Sequence, residues 1–334
     1  MLILHIGTPK TGSSALQHYL TGNADALLEM GVRYISAGRE GTHRSSHRDL
    51  VLALLGKTDL SVWQQVRTEL AEREDATNVI SAEGLWFEDP AKVRMQLPAG
   101  ELDVQIVVYL RRQDHYLQSL WKQAVLDGRR HNFDVWRERV PFRGNYLTTL
   151  DKWACEFGAD ALLVRPYDRN GKRDTIRDFC ELLGLDCAPA AKEVASKNPT
   201  PRLEIVQFVR ALNQLNLDVG RHQLRQSLVG KNSAYVRSCD VLSYDSAAQL
   251  MQNYESENAE LGRKYYRDTS SPLFPPLEPY SPPELWDSQL DEYFRLMTDM
   301  LRAVTDSMAR GQIRQSSTPG KRKKAMSKAT VQKA

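Results

Sequence analysis

LHIGTPKTGSSALQHYL, residues 4–20, closes an apolar run that begins at Met1 and stops at Gly7. Small and polar residues follow as far as Ser14, and apolar residues then recur at Ala15, Leu16, Tyr19 and Leu20. That spacing predicts a strand, a tight turn and the first turns of a helix. The first backbone N–H groups of a helix have no internal partner and carry the positive end of its dipole, so such a corner attracts anions. Capping a helix needs a single hydroxyl. Gly7, Lys10, Gly12 and two hydroxyls exceed that need, and the loop therefore reads as a phosphate cradle.

Further along, Thr77–Ser81, Val104–Leu110 and Ala161–Val164 are apolar and β-branched, as is Met1–Ile6, and all four read as buried parallel strands. Helical patterns separate them. Leu50, Val51, Leu54 and Leu55 form one stripe after the His-rich THRSSHRDL. Leu117, Leu120, Trp121, Ala124 and Val125 form another, ending near Gly128, and Leu147, Leu150, Trp153, Ala154 and Phe157 a third, ending near Gly158. Strands alternating with helices imply an α/β fold with a central parallel sheet flanked by helices and wound by right-handed crossovers. Ligands of such sheets bind at the C-terminal ends of the strands. The opening loop, the end of VISAE and the start of RRQD meet there.

After Cys187 the character changes. KNPTPRLEIVQFVRALNQL reads helical from Arg202, a 3–4 spacing runs from Ala247 through Leu250, Tyr254, Asn258 and Leu261 to Tyr265, and Trp286 to Val304 forms a last helix after the Pro-rich LFPPLEPYSPP. The expected organisation is one domain over residues 1–309, an α/β core (1–187) with a helical C-terminal portion (188–309) packed on it, and a disordered basic tail (310–334). That tail holds eight Lys or Arg and no acid, and the remaining 37 basic residues face 42 acidic ones, a charge near −5. The body therefore lacks an overall basic footprint for nucleic acid, and the KRKK cluster allows at most weak tail contacts. Cys155, Cys180, Cys187 and Cys239 show no C-x-x-C pairing and no nearby His, which argues against zinc and for reduced, mostly buried thiols. The chain enters a core-like run at Met1, and no apolar stretch approaches the roughly 20 residues of a spanning helix. A cytoplasmic protein without a membrane span is the expectation.

The opening loop nearly satisfies G-x-x-x-x-G-K-[ST]. Gly7 and Gly12 have the right spacing and Ser14 stands at the magnesium-binding hydroxyl, but Ser13 occupies the lysine position. VISAE ends in Glu and VVYLRR in arginines, so no strand ends in the Asp that would hold magnesium. A kinase or GTPase would lose both main charge stabilisers. A magnesium–nucleoside-triphosphate kinase is the second reading, and a non-catalytic nucleotide-binding interaction protein the third.

PKTGSSAL at Pro9–Leu16 resembles the 5′-phosphosulfate loop, P-K-[TS]-G-[TS]-[TS]-x-L, of sulfotransferases that use 3′-phosphoadenosine 5′-phosphosulfate (PAPS). The family's second motif, an Arg eight residues before a Ser, is similar to Arg111 and Ser119 in VVYLRRQDHYLQSLW, although Arg112-Gln113 stand where the family often has Asn-Pro or Asp-Pro. LLVRPYDRNGKRDTIRDFCELLGLD resembles the segment before its C-terminal portion, so the likeness covers residues 1–187. The resemblance implies a P-loop-NTPase-like three-layer fold and a PAPS-dependent sulfotransferase, with PAP (the 3′,5′-bisphosphate) as product, no metal, and a hydroxyl or amine acceptor such as a carbohydrate or other small metabolite. It assigns the phosphosulfate to Lys10, Thr11, Gly12, Ser13 and Ser14 and the 3′-phosphate to Arg111 and Ser119. Transfer would be in line, with Lys10 neutralising the leaving phosphate oxygen, by analogy with phosphoryl transfer. For the base, carbohydrate sulfotransferases carry a Glu before an aromatic–Phe pair like Trp86-Phe87, which selects Glu83. Related enzymes that use His point to His43 and His47. Tyr167 is a candidate for adenine contact, and His115 reads as structural.

Overall fold

The structure is a computed structural model that describes residues 1–39, 44–73, 75–100, 102–167, 174–185, 203–214, 217–218, 241–268, 271–279, 299–302, 304–306 and 314–315. Five strands form one all-parallel sheet: β1 (Leu2–Gly7), β2 (Val32–Tyr34), β3 (Thr77–Ser81), β4 (Val104–Leu110) and β5 (Leu162–Pro166), in the order β2-β3-β1-β4-β5. Leu2 of the central strand pairs with Asn78 on one side and Val104 on the other. The chain thus goes from β1 to the edge strand β2, returns to β3 beside β1, and then reverses to add β4 and β5 on the other side. Such a reversal opens a crevice between the C-terminal ends of the two strands where it occurs, here β1 and β4.

Alternating side chains of each strand point to opposite faces. Ile3, Val79, Val107, Tyr109, Val32 and Tyr34 pack with Leu16 and Leu20 of α1 (Ser13–Gly22), Leu27 of α2 (Ala24–Glu29) and Phe179 of α9 (Thr175–Leu182). The opposite row, Leu4, Ile6, Ile80, Ile106, Val108 and Leu110, is equally buried, so the sheet is covered on both faces. The remaining helices of this region are α3 (Arg48–Leu54), α4 (Ser61–Glu72), α5 (Pro90–Gln96), α6 (Gln113–Leu126), α7 (Phe133–Glu138) and α8 (Tyr146–Phe157). This is the α/β architecture, a central parallel sheet flanked by helices, expected from the strand pattern. Several elements lie outside that pattern, among them the short helices α2, α5 and α7, the three-residue edge strand β2, and α4, which buries Trp63, Val66 and Leu70.

The chain divides into two compact units. The first, residues 1–121, 133–199 and 240–283, contains the sheet together with α11 (Tyr244–Gln252) and α12 (Glu255–Tyr265). The 3–4 spacing from Ala247 to Tyr265 is therefore two helices, not one. Helix α12 is tied to the core by a reciprocal amide pair, Gln113 to Asn258 at 2.7 and 3.1 Å, and by the Leu147 N–H on Glu257 at 3.0 Å. In the second unit, residues 122–132, 200–239 and 284–334, α10 (Leu203–Gln214) buries Ile205 and Val206, and its Asn213 amide donates to the Val125 and Arg129 carbonyls. Arg314 and Gln315, which belong to the stretch read as a tail, pair there with Asp218 and Leu217 as an antiparallel ladder of β6 (Leu217–Asp218) and β7 (Arg314–Gln315), and the rest of the KRKK-containing tail lies outside the described residues. The helix expected over Trp286–Val304 is described only at 299–302 and at 304.

The cysteines differ from the expectation of reduced, mostly buried thiols. Cys155 is free but exposed, because α8 turns Tyr146, Leu150 and Trp153 inward and leaves Cys155 outside. Cys180 is buried but disulfide-bonded. Among the described residues no helix is long and apolar enough to cross a membrane.

Candidate functional site

The loop after β1 is pinned to β4 at its start. The Thr8 N–H and hydroxyl both reach the Tyr109 carbonyl, each at 3.1 Å. The Thr8 carbonyl in turn accepts from the Thr11 hydroxyl at 2.6 Å and from Ser13 Oγ at 3.3 Å. Between these anchors the backbone turns through two left-handed residues, Lys10 (φ 68°) and Gly12 (φ 83°). Lysine in that region is strained, and such strain collects at functional sites. At Gly12 a side chain is excluded twice over, by its φ and because a Cβ would stand 3.0 Å from Thr175 Oγ1. The Gly12 carbonyl accepts from Ala15 and Leu16, the first bonds of α1. The N–H groups of Ser13 and Ser14 precede those bonds and sit at the positive end of the helix dipole. Thr11 and Ser13 are buried and shape the loop, whereas Ser14 is exposed.

Glu83 begins a 3-10 turn, Glu83–Phe87, two residues past β3. A Cβ on Gly7 would lie 3.1 Å from the Glu83 Cα and carbonyl, so the loop and the turn touch backbone to backbone only because residue 7 is glycine. Burial raises the Glu83 pKa above its ordinary value, and the opposing influences are a hydrogen bond from Ser13 and the charge of Lys10. Lys10, Ser13 and Glu83 therefore form one electrostatic cluster, although Glu83 is 70 residues beyond Ser13.

His47 lies beneath this cluster and is fully buried. Its Nε2 is 2.8 Å from the Ile35 carbonyl, and its Nδ1 accepts the Ser81 N–H at 3.1 Å. Burial is the main cause that brings its pKa down to about 3. The Ser81 hydroxyl bridges His5 Nδ1 at 2.7 Å and Gln17 Nε2 at 3.1 Å, and burial lowers His5 to about 4. The other histidine candidate, His43, lies outside the described residues.

At the end of β4 the two adjacent arginines part company. Arg111 donates from Nη1 to the Lys10 carbonyl at 3.3 Å, and its guanidinium carbon lies 5.6 Å from the centroid of the Tyr167 ring. Tyr167 also borders Gly12, whose missing Cβ would stand 3.5 Å from its Cε2. Arg112 instead grips Asp114 in a two-pronged pair at 2.9 and 3.0 Å and holds the Pro275 and Pro276 carbonyls at 3.1 Å. Arg111 thus belongs to the loop and Arg112 to the frame, beside a cleft of about 830 Å³ lined by α11, α12 and residues 271–277. Ser119 is buried in the second turn of α6, the helix that starts two residues after Arg111, and the half-exposed His115 lies 3.6 Å from Asp114.

Reasoning from the sequence missed the aromatic wall beside Glu83. Tyr146 donates to the Arg111 carbonyl at 2.7 Å, and its ring meets those of Trp86 and Tyr116 edge-on, at 6.0 and 5.5 Å. Tyr116 had a usable signal: it stands three residues before Ser119 and so shares its helix face.

No family model matches the chain. An uncharacterized protein of Archaeoglobus fulgidus is 33% identical over 117 residues, so the chain spans about a third (32%) of that protein, using 34% of its own length. Among solved structures the chain is similar to a sulfotransferase from Alicyclobacillus acidocaldarius, with a TM-score of 0.40 and 16% identity over 70% of this chain and 98% of that one. It is also similar to a sulfotransferase domain from the curacin biosynthetic pathway, with a TM-score of 0.34 and 12% identity over 56% of this chain and 74% of that one. A sulfotransferase domain from the olefin synthase of Synechococcus PCC 7002 has a TM-score of 0.22 and 14% identity, over 55% and 72% of the two chains.

Proposed function

We propose that the protein is a PAPS-dependent sulfotransferase acting on a hydroxyl (or amine) acceptor such as a carbohydrate or other small metabolite, without a metal. The observation that carries this reading is the Lys10–Ser13–Glu83 cluster at the N-terminus of α1, which joins an anion cradle to a buried carboxylate of raised pKa. When bound, PAPS supplies a sulfuryl group on a phosphate leaving group. The backbone N–H groups of Ser13 and Ser14 hold the anionic end, and Lys10 offsets charge on the bridging oxygen. Ser13, whose hydroxyl donates to the Thr8 carbonyl, fixes the loop beside Glu83. Glu83 accepts the acceptor's proton at a carboxylate oxygen, for which a raised pKa is an advantage. Arg111 holds the 3′-phosphate with Ser119. A guanidinium has five donors, and the one committed to the Lys10 carbonyl sets the direction of the fork. His47, with both ring nitrogens engaged by backbone groups, serves as a brace between β3 and the loop after β2. The cytoplasm is the proposed location.

Thermal unfolding with PAP, beside ATP and magnesium, tests this. A ligand at 100 times its Kd adds about 2.7 kcal/mol, enough to raise Tm by several degrees. The expected result is a shift with PAP that does not need magnesium and disappears in Arg111→Ala. A shift with magnesium–ATP alone would make the protein a kinase.

A further inference from the structure

We propose that a groove between α7 and α11 binds a small zwitterion of the amino-acid type, with its carboxylate on Arg137 and its ammonium group toward Asp134. The site shares no residue with the Lys10–Glu83 cluster and does not rest on the sulfotransferase reading.

Both helices belong to the unit that contains the sheet, and the groove between them has a volume of about 240 Å³. That is below the roughly 300–1,000 Å³ of pockets for drug-sized ligands, so its occupant is small. The half-buried Arg137 singles the groove out. Its Nε is shut off from solvent and has no hydrogen-bond partner among the described residues, and the guanidinium makes no other hydrogen bond or ion pair with them. Its place in the last turn of α7 accounts for a basic residue there. It does not account for a buried donor left unbonded, which is costly. A carboxylate meets a guanidinium through two parallel N–H···O bonds. Approach along the edge that carries Nε would satisfy that atom and use one Nη donor beside it.

The rest of the lining decides what carries the carboxylate. The exposed Asp134 stands one turn before Arg137 on the same helix face and lines the same groove, yet the two form no ion pair. Opposite charges that share a groove without meeting suit a ligand that bears both. A multiply charged oxyanion such as phosphate would be repelled by Asp134. On the other side, Ser246, Gln249 and Asn253 follow one another at the i, i+3, i+7 spacing of a single face of α11 and its C-cap. The Ser246 hydroxyl accepts from Ser243 at 2.9 Å and so keeps its own proton for a ligand. The two amides add donors and acceptors. Phe133 and Leu250, both buried, supply an apolar patch for a short alkyl side chain.

The test uses the full chain and four probes: L-alanine, which carries both charges, propionate and ethylamine, which carry one each, and inorganic phosphate. Saturation-transfer NMR titrations give the Kd of each organic probe, and phosphate is read by its displacement of L-alanine. L-Alanine is expected to bind tightest. Arg137→Gln should weaken it about tenfold or more, the worth of a charged hydrogen-bond partner. Arg137→Lys should recover only part of that, because an ammonium offers no side-on fork. Asp134→Asn should weaken L-alanine a few-fold, as suits an exposed charge, and leave propionate unchanged. The unfolding midpoint of each variant without probe verifies that it is folded. Absence of L-alanine binding in the wild type, an affinity unmoved by Arg137→Gln, propionate binding as tight as that of L-alanine, or displacement of L-alanine by an equal concentration of phosphate would each overturn the site. None of these results would touch the reading of the Lys10–Glu83 cluster.

Discussion

Two groups of polar residues are stacked at the C-terminal edge of β1 and β3, and they are built on opposite rules. The lower group, His5, Gln17, His47 and Ser81, is buried and bonded within itself and to nearby backbone, save for His5 Nε2, which has no partner among the described residues. The upper group, Lys10, Ser13, Ser14 and Glu83, includes the exposed Ser14, a lysine in a strained backbone region and a carboxylate whose burial is only partly offset by its neighbours. Both groups contain titratable side chains, and both held a candidate base, His47 in the lower and Glu83 in the upper. The difference lies in where the hydrogen bonds go. A histidine whose two nitrogens face backbone partners has nothing left with which to move a proton. A carboxylate held at raised pKa beside a cation does.

Breaking the upper group should have the largest effects. Glu83→Gln is expected to lower kcat by about 10²–10⁴-fold, the range of a well-placed base. Its stability at pH 7 should equal or exceed that of the wild type, because burial disfavours the charged carboxylate that glutamine replaces. Transfer assays and denaturant unfolding together check this, and a destabilised variant would mean that Glu83 is structural. For the wild type the sign is set by the raised pKa of Glu83: the active carboxylate accumulates as pH rises, so the acid limb of the pH–rate profile should lie above the ordinary 4.5.

Lys10→Ala should cut kcat by about 10²–10³-fold, in line with the loss of one transition-state donor, and should affect PAP affinity far less. It should also move the acid limb further up, because the lysine charge opposes the rise at Glu83. Turnover equal to the wild type would sink the assigned role.

The lower group is tested by acid. His5 and His47 are neutral in the folded protein, with pKa values of about 4 and 3, while the unfolded chain takes up protons near 6.5. Their full contribution is therefore present above pH 6.5 and is lost as pH falls toward the folded values. At pH 5 the loss is about 2 kcal/mol for each ring. Urea unfolding at pH 7.5 and 5.0 measures it, and identical stabilities would contradict the burial of neutral rings. The smallest effect is expected at Asp174, whose side chain caps α9 by accepting from the Ile176 N–H at 3.0 Å. Asp174→Ala should cost about 1 kcal/mol, read as a lower urea midpoint.

The upper group was far more legible in the sequence than the lower. PKTGSSAL is contiguous, and each of its residues has a local consequence in a strand–turn–helix corner. Thr77–Ser81 and Val104–Leu110 emerged with the bounds expected, because buried parallel strands are apolar throughout. Strand β2 was missed, since three residues on an edge leave no pattern to read. Helix α4 was legible in principle: Trp63, Val66 and Leu70 have helical spacing, but polar and charged residues dominate SVWQQVRTELAE. The choice between Glu83 and His47 could not be made from spacing, because it turns on burial and on backbone partners 12 and 34 positions away. Tyr146 was invisible for the same reason, since it matters through the Arg111 carbonyl, a neighbour from another segment.

The position of β1 at the centre of the sheet has a consequence for how the protein is made. Leu2 is synthesised well before its ladder neighbours, Asn78 and Val104, and before Tyr109, whose carbonyl anchors Thr8 of the anion loop. Closing such long loops is entropically slow, and until it happens this apolar strand has no partners across the ladder. A nascent chain that ends before β4 cannot hold the loop in its final shape, so ligand affinity appears only after β4 has docked. The anion loop is therefore made long before it acquires its function, and that interval is when the chain is most exposed to aggregation.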